Sequence, residues 1–579
     1  MADNELGLRY WQSGRITRRR FLGGVAVAGA GAAAIGLVGC SSGKKSGGSS
    51  QTPGASGTAR VNDGTQDGAP THLGGILRVR QNPALPSMNV FGPGIFPLAQ
   101  GLFLGFTTFD HMWYVPTDTG QVELFLATKV EQPDATTVIA TLGDATFHDK
   151  DPVNGRAVKA SDVVASFKRF REEVGIGFDF LHNVMDDIVA TDDKTVKITM
   201  KFPWAWVFTS SNAGSPIYSS IMPEEILHGH DDLLQKDAIG SGHWVLDSHE
   251  NGANIKLRKF QQFRTYQNGK SIAGQPYLDG VDFKLITDDN AALAAFRANE
   301  IDSTGFSNRK QMEDTISALG DRIRTSSDLS RDYMCLMIRY DPPFNDVRVR
   351  QAFNLLIDRQ KAIDLLEDGD AVKCGPVPPA HKLYALTEDS DDVMKEYFRH
   401  DVKDARDLLT AASWDFDSEW TMRHSNRQGD SDLAQFLQAQ LGEGGVKINL
   451  EQQDLVKWFS QTLNQSDFKL TCFQHLPYED PDLPLRFYLG PGDGRTDNFM
   501  RYQDDTVDAA ILAAAKELDE DARIEKTKEA QRAVMRAYAP MFNIFSQISF
   551  GGSYSYVKGQ ITGRGSYGLF NRTTWLDKA

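Results

Sequence analysis

Residues with chemical potential cluster at a few points along the 579-residue chain. Gly29 to Ala34 reads GAGAAA and imitates a dinucleotide fingerprint, while Gly39 to Gly43 reads GCSSG and imitates a serine nucleophile turn. A dinucleotide site needs a strand before the glycines and a helix after them, so that the helix N-terminus meets a pyrophosphate. A nucleophile turn likewise needs an apolar strand leading into it. A basic cluster and a run of small apolar residues stand there instead. Both matches are products of Gly/Ala/Ser composition. Further on, Gly143, Asp144, Phe147, His148, Asp149 and Asp162 place a histidine among carboxylates, the make-up of general acid–base machinery. Tyr478-Glu479-Asp480-Pro481-Asp482, followed by Arg486, offers either charge for a ligand or the turn chemistry of Asp-Pro. No CxxC, HExxH or histidine pair at helical spacing points to a metal, and no cofactor is expected.

The opening stretch is better read as an address. Arg15, Arg18, Arg19 and Arg20 form a positive n-region, and Phe21 to Val38 a mild apolar h-region. That run is too short and too rich in Gly and Ala to span a membrane, which takes about 20 strongly apolar residues. Thr17 to Leu22, with Arg18 and Arg19 as the pair, resembles a twin-arginine export signal. Leu37-Val38-Gly39-Cys40 resembles a lipobox, with Cys40 acylated and first in the mature chain. Residues 1–39 are then signal peptide and 40–71 a lipidated tether. Ser41 to Thr71 has no aliphatic or aromatic cluster to fold around and would span roughly 30 Å r.m.s.. The alternatives are a membrane helix or an ordinary cleaved leader. The folded part is expected outside the cytoplasm, lipid-anchored at the outer face of the cytoplasmic membrane or in the periplasmic space.

The net charge is −15, and removing a leader with five basic and two acidic residues leaves the mature chain near −18. An acidic surface excludes nucleic acid as a partner and leaves membrane attachment to the lipid. Besides Cys40 there are Cys335, Cys374 and Cys472, and Cys335–Cys472 is the pairing expected if a disulfide forms.

From residue 72 onward strands alternate with helices, an α/β pattern. GGILRVR (Gly74 to Arg80), TTVIATL and KTVKITMKF read as strands. KASDVVASFKRF reads as a helix capped by Ser161, with Val163, Phe167 and Phe170 on one face. FNDVRVRQAFNLLIDR is the clearest helix, capped by Asp346. DDNAALAAFRANEID follows the same pattern with Asp289 or Asn290 at the cap. Two consecutive helices precede Pro540. No repeat of twenty to fifty residues suggests a solenoid.

The order of these segments resembles the family 5 extracellular solute-binding proteins, the peptide, dipeptide and nickel receptors of ABC importers. The resemblance rests on GDATFHDKDPVNGRAVKASDVVASFKRF (Gly143 to Phe170), AIGSGHWVL (Ala238 to Leu246) and PYLDGVDFKLITDDNAALAAFRANEID (Pro276 to Asp302). PPFNDVRVRQAFNLLIDR (Pro342 to Arg359) is its most specific part, and HLPYEDPDLPLRFYLG (His475 to Gly490) a looser one. It runs from about Gly74 to the end. It implies a two-lobed clamp of the type II periplasmic-binding kind with an extra domain in lobe one. Lobe one would comprise 72–115, 240–335 and 545–579, the inserted domain 116–239, and lobe two 336–544. Strands near Tyr333–Arg339 and Phe542–Phe550 would be the hinge crossovers.

The same resemblance makes the His148 segment structural and puts the ligand cavity at Phe473, Gln474, His475, Tyr478 and Asp480, with Trp244 and Tyr114 on lobe one. Arg486 would meet an anionic ligand or form a surface ion pair. Where peptide-binding relatives carry an aspartate for the peptide ammonium, this chain has Pro477, leaving Asp480 or Glu479 to substitute. The expected activity is capture of a peptide, sugar, metal chelate or amphiphilic solute by a monomer. Delivery would be to an ABC permease and ATPase complex, with no catalysis. Its rivals are a secreted α/β hydrolase and an adhesion or signalling lipoprotein without transport.

Overall fold

The computed structural model describes residues 67–81, 88–89, 108–114, 123–172, 180–209, 220–250, 254–264, 266–267, 270–272, 274–475, 478, 480–490, 498–560 and 572–578. Arg18, Arg19, Cys40, Pro477 and Glu479 lie outside them. Among the described residues no helix is long and apolar enough to cross a membrane.

The chain begins with β1 (Ile76–Gln81). It then leaves for an antiparallel sheet of four strands, β2 (Ala127–Asp134), β3 (Thr137–Leu142), β4 (Met185–Ala190) and β5 (Thr195–Met200), in the order β2-β3-β5-β4. Helix α1 (Ala160–Arg171) covers it, burying Val163, Phe167 and Phe170 as the apolar spacing predicts. Its cap is Lys159 rather than Ser161. The Asp162 carboxylate, on the third helical residue, takes the Lys159 N–H at 2.9 Å, which fixes the start two residues earlier.

The chain returns with β6 (Trp244–Glu250), β7 (Asn254–Lys259), β8 (Gly280–Leu285), α2 (Asp289–Arg297), β9 (Ser303–Phe306), α3 (Arg309–Leu319) and β10 (Ile323–Leu329). Asp288 caps α2, one residue before the expected position, because its side chain reaches Ala291 N at 2.7 Å.

The second half opens with β11 (Tyr333–Ile338), α4 (Val347–Leu355), α5 (Arg359–Leu366), β12 (Ala371–Lys373) and β13 (Glu419–Ser425). It continues through α6 (Gln428–Glu443), β14 (Lys447–Gln453), β15 (Leu470–His475), α7 (Asp482–Arg486), α8 (Asp505–Ala515), α9 (Glu520–Arg536) and β16 (Met541–Tyr554). Asp346 caps α4 as the sequence predicts, accepting from Arg348 N at 2.9 Å.

These strands form one twelve-stranded sheet ordered β14-β13-β15-β11-β16-β9-β1-β8-β7-β6, with β10 and β12 also pairing β16. The fourteen residues of β16 serve both halves: Ile548 to Tyr554 pair with β10 and Phe550 to Ser553 with β9, while Met541 to Gln547 pair with β11 and β12. A three-residue connector, Ser330 to Asp332, carries β10 into β11 beside it. These are the two crossovers expected from the sequence, and they make the molecule a two-lobed clamp.

β11 is buried along its whole length, as a strand covered on both faces must be. Met334, Leu336 and Ile338 enter the core under α4 to α6; Tyr333, Cys335 and Met337 enter an aromatic core under α7 to α9. That alternation decides the cysteines. Cys335 pairs in register with Phe473, and Cys472 with Leu336, so the two thiols lie on opposite faces of the sheet. Both are free, as is Cys374, and the Cys335–Cys472 disulfide expectation is wrong.

Candidate functional site

Strand direction shows where the lobes meet. β9 runs so that Ser303 faces Ser553 and Phe306 faces Phe550, and it therefore points its carboxyl end toward the other half of β16. β1 and β8 run parallel to it. From the opposite lobe, β15 lies antiparallel to β11 with His475 beside Tyr333, and β13 and β14 run parallel to β15. The carboxyl ends of both half-sheets thus converge on one gap, the place where open α/β sheets take ligands.

Four of the predicted residues stand at this edge of lobe two. Phe473 packs on Trp458 at 4.9 Å, while His475 stacks on Tyr333 at 4.9 Å and meets Phe487 at 4.4 Å. The Tyr478 hydroxyl shares a 3.1 Å hydrogen bond with His475 Nδ1. Burial pushes the His475 imidazole down to about 3, so it stays neutral. This is a stiff aromatic wall.

Gln474 turns to the other face. Its backbone N–H donates to Asp430 at 3.0 Å, and its amide nitrogen donates to Asp332 Oδ2 at 2.7 Å and Gln547 Oε1 at 2.6 Å. Gln547 donates in turn to Glu367 at 2.6 Å. Burial raises Asp332 to about 7 and Glu367 to about 8. Sequence reasoning missed Asp332, Glu367 and Gln547. The available signal was an acid placed directly before a wholly apolar strand.

Asp480 and Arg486 belong to a different construction. Asp480 Oδ1 accepts from Asp482 N and Leu483 N at 3.1 Å each, the turn chemistry expected of Asp-Pro. Its other oxygen accepts from Thr209 Oγ1 at 2.6 Å, across the gap from the segment after β5. Arg486 pairs with Asp482 at 2.9 Å and lies over Trp204 at 5.7 Å, so its ion pair is buried rather than superficial. The whole strap Phe202 to Thr209 is held this way. Ala205 N donates to Ala515 O at 2.8 Å, Trp206 lies 5.0 Å from the Arg523 guanidinium and 5.4 Å from Tyr384, and Lys516 sits over Phe202 at 4.7 Å.

On lobe one, Trp244 is fully buried in the hydrophobic core. It begins β6 beside Lys259, at the amino end of β8 and so at the edge of the sheet facing away from the gap. The resemblance placed a ligand platform there, but the strand starts at the far edge of the sheet. Tyr114 lies in a two-residue strand paired to Glu123.

The His148 cluster is scaffolding. Nδ1 of His148 accepts from Gly240 N at 3.3 Å and Nε2 faces the Gly242 carbonyl at 3.0 Å, while burial lowers the ring to about 3. Gly240 must be glycine, since a Cβ would stand 2.1 Å from the Thr108 carbonyl oxygen. Asp162 is fully buried and accepts from Arg156 at 2.9 and 2.6 Å and from Glu224 N at 3.0 Å. Among the described residues no group of three or more His, Cys, Asp or Glu is arranged to hold a metal ion.

Residues 121–495 match the family model described as bacterial extracellular solute-binding proteins, family 5 Middle. The chain is 25% identical over 338 residues to the oligopeptide-binding protein AppA of Bacillus subtilis (strain 168), which covers 54% of this chain and 56% of that protein. It is 24% identical over 413 residues to Di/tripeptide-binding protein 2 of Pseudomonas aeruginosa (strain UCBPP-PA14), covering 67% of this chain and 74% of that one. The aligned part therefore spans little more than half of the first relative and about three quarters of the second. Among solved structures, the periplasmic binding protein DppA of Helicobacter pylori in complex with peptide STSA matches with a TM-score of 0.73 at 21% identity, over 88% of this chain and 99% of that one. At that identity the likeness concerns the fold.

Proposed function

The chain belongs to the bacterial extracellular solute-binding proteins of family 5, and on that premise we propose that it is the receptor of an ABC importer. It captures a peptide or another small solute between its lobes outside the cytoplasm and delivers it, unreacted, to a permease driven by ATPase subunits. The observation that carries this reading is the pair of crossovers at β16 and β10–β11, with the strand ends of both half-sheets turned toward the gap between them. Such a joint bends without breaking its ladder. A solute that prefers the closed arrangement shifts the lobes toward it.

Lobe one in this proposal comprises 72–115, 240–335 and 545–579, the inserted domain 116–239 and lobe two 336–544. Phe473, Gln474, His475 and Tyr478 form the lobe-two wall of the cleft, with Tyr114 opposite. Asp480 and Arg486 act through the strap that holds the lobes together. Trp244 has no part. The leader carries a twin-arginine signal at Arg18 and Arg19, and acylated Cys40 with its tether holds a monomeric receptor at the membrane, without cofactor or nucleic acid. Cys40→Ala would then release a folded, soluble protein.

The test is native mass spectrometry of the protein purified from its own host, with small-angle scattering before and after the solute is removed. A retained small molecule and a scattering radius that grows on its removal are expected. A protein that carries no solute and never changes shape would refute the receptor. Turnover of an ester, peptide or glycoside panel would favour a hydrolase.

A further inference from the structure

Two acids without a basic partner lie at the joint between the lobes. Asp332 ends the connector from β10 to β11, and Gln547 sits where β16 passes from its pairing with β12 to its pairing with β10. Ser330 N donates to Gln547 O at 2.8 Å, which laces the two crossovers together. Gln474 and Glu367 belong to lobe two. The Gln474 amide donates to Asp332 Oδ2 at 2.7 Å and to Gln547 Oε1 at 2.6 Å, and Gln547 donates to Glu367 Oε1 at 2.6 Å. One continuous run of side chains thus ties both crossovers to lobe two.

Every donor in that run is neutral. Asp332, only 1% exposed, is served by the Ser330 hydroxyl, the Gln474 amide and its own N–H, and Glu367 by the Gln547 amide. Asp332, Asp370 and Asp368 all oppose a negative charge on Glu367. Arg309 of α3 holds Asp370 at 2.6 and 2.9 Å, and Arg427 holds Asp430 at the start of α6 at the same two distances. Lys373 of β12 pairs with Glu388 at 2.8 Å, and Arg331 acts on Asp328 and His381. Cys374 faces Asp332 as a buried neutral thiol, while Tyr333 and His475 lie on the opposite face of the sheet.

A carboxylate enclosed without counter-charge is costly. A protonated carboxyl removes the charge and gains a donor. Two oxygens here, Asp332 Oδ1 and Gln474 Oε1, have no donor as long as the acids are ionised. The arrangement suits carboxyls that keep their protons.

We propose that the joint is a proton-operated catch: with Asp332 and Glu367 protonated the crossovers lie dry against lobe two and the clamp closes, and release of those protons favours the open arrangement. This rests on the solute-receptor reading and adds its regulation, a grip that weakens as the surroundings turn from acid to alkaline. Bending at the crossovers draws Asp332 and Gln547 away from Gln474 and Glu367 and lets water reach the carboxyls. The open arrangement then tolerates their charge better, so the closed one binds more protons. Burial agrees, holding Asp332 up at about 7 and Glu367 at about 8. The closed-to-open ratio therefore falls as pH climbs from the ordinary carboxylate range, about 4, toward those values, and levels off above them. One unit of difference in either acid between the two arrangements changes the ratio about tenfold.

The test places spin labels on Val189→Cys of β4 and Leu518→Cys after α8, two exposed positions on opposite sides of the gap, in the full-length protein stripped of its solute. Cys335, Cys374 and Cys472 are buried and escape the label. The distance between the labels from pH 5 to 9 gives the share of closed molecules. The closed-to-open ratio should fall about tenfold or more between pH 5 and 8. Asp332→Asn combined with Glu367→Gln, each keeping the shape of the protonated acid, should hold the acid-side distance across the whole range. A distance that ignores pH in the otherwise unchanged chain, or the same fall in the folded double variant, would overturn the catch. Should the double variant not fold, the two single variants carry the test, and an undiminished fall in both has the same meaning. A protein that retains a solute and changes shape on losing it, yet shows no response to pH, loses the catch alone and remains a receptor.

Discussion

Removing one hydroxyl from the strap should loosen the closed clamp. Thr209 Oγ1 lies 2.6 Å from Asp480 Oδ2, and Asp480 is only 2% exposed while the lobes are together. Hydrogen bonds to charged groups are worth about 1.5–3 kcal/mol, and more is lost when the acceptor stays buried. Thr209→Val preserves the side chain's shape and deletes the hydroxyl, which lies 2.8 Å from the Trp206 carbonyl as well as beside Asp480. In the open arrangement water can reach Asp480 in both proteins, so the loss falls almost wholly on the closed one. A penalty of about 2 kcal/mol lowers the closed-to-open ratio roughly 30-fold. Because related complexes differ mainly in dissociation rate, the co-purified solute should leave the variant roughly 30-fold faster on dialysis, followed by native mass spectrometry. Small-angle scattering should report a larger radius at equal solute. Thr209→Ser retains the donor and should behave as wild type. A folded Thr209→Val protein that retains its solute as long as wild type would refute the reasoning.

Stability should peak between about pH 6 and 7. Burial lowers His111 to about 4 and His148, His381 and His475 to about 3, so the unfolded chain binds protons first and their contribution fades as pH falls below about 6.5. Asp332 and Glu367, raised to about 7 and 8, keep protons that the unfolded chain has released, so stability declines as pH climbs from about 4 toward 8. Urea midpoints across the range check this, and a midpoint still climbing near pH 8 would contradict it. A thiol reagent should find Cys335, Cys374 and Cys472 only after unfolding, and reductant should leave the thermal midpoint unchanged; a lower midpoint in reductant would indicate a disulfide. Asp162→Ala takes the acceptor from two backbone donors, Lys159 N and Glu224 N, while Arg156 keeps its pair with Glu225. It should cost about 2–4 kcal/mol in urea unfolding, and a loss under about 1 would count against its scaffolding role.

Local pattern carried much of this protein. The alternation in Thr137 to Leu142 and Thr195 to Met200 and the helical spacing in Val347 to Leu355 can be read from neighbours within a few residues. So can the Asp346 cap, because each depends only on residues within a turn or two of it. The ordered motifs pointed to the clamp. Register and strand direction were not available at that range. The pairing of Cys335 with Phe473 puts the two expected disulfide partners on opposite faces, and the direction of β6 carries Trp244 away from the gap. Thr209 meets Asp480 across 271 residues and Asp332 meets Gln474 across 142. Nothing in either short segment names its partner. Contacts of that separation exist only once the whole sheet has chosen which strand lies beside which, and that choice belongs to the packed chain.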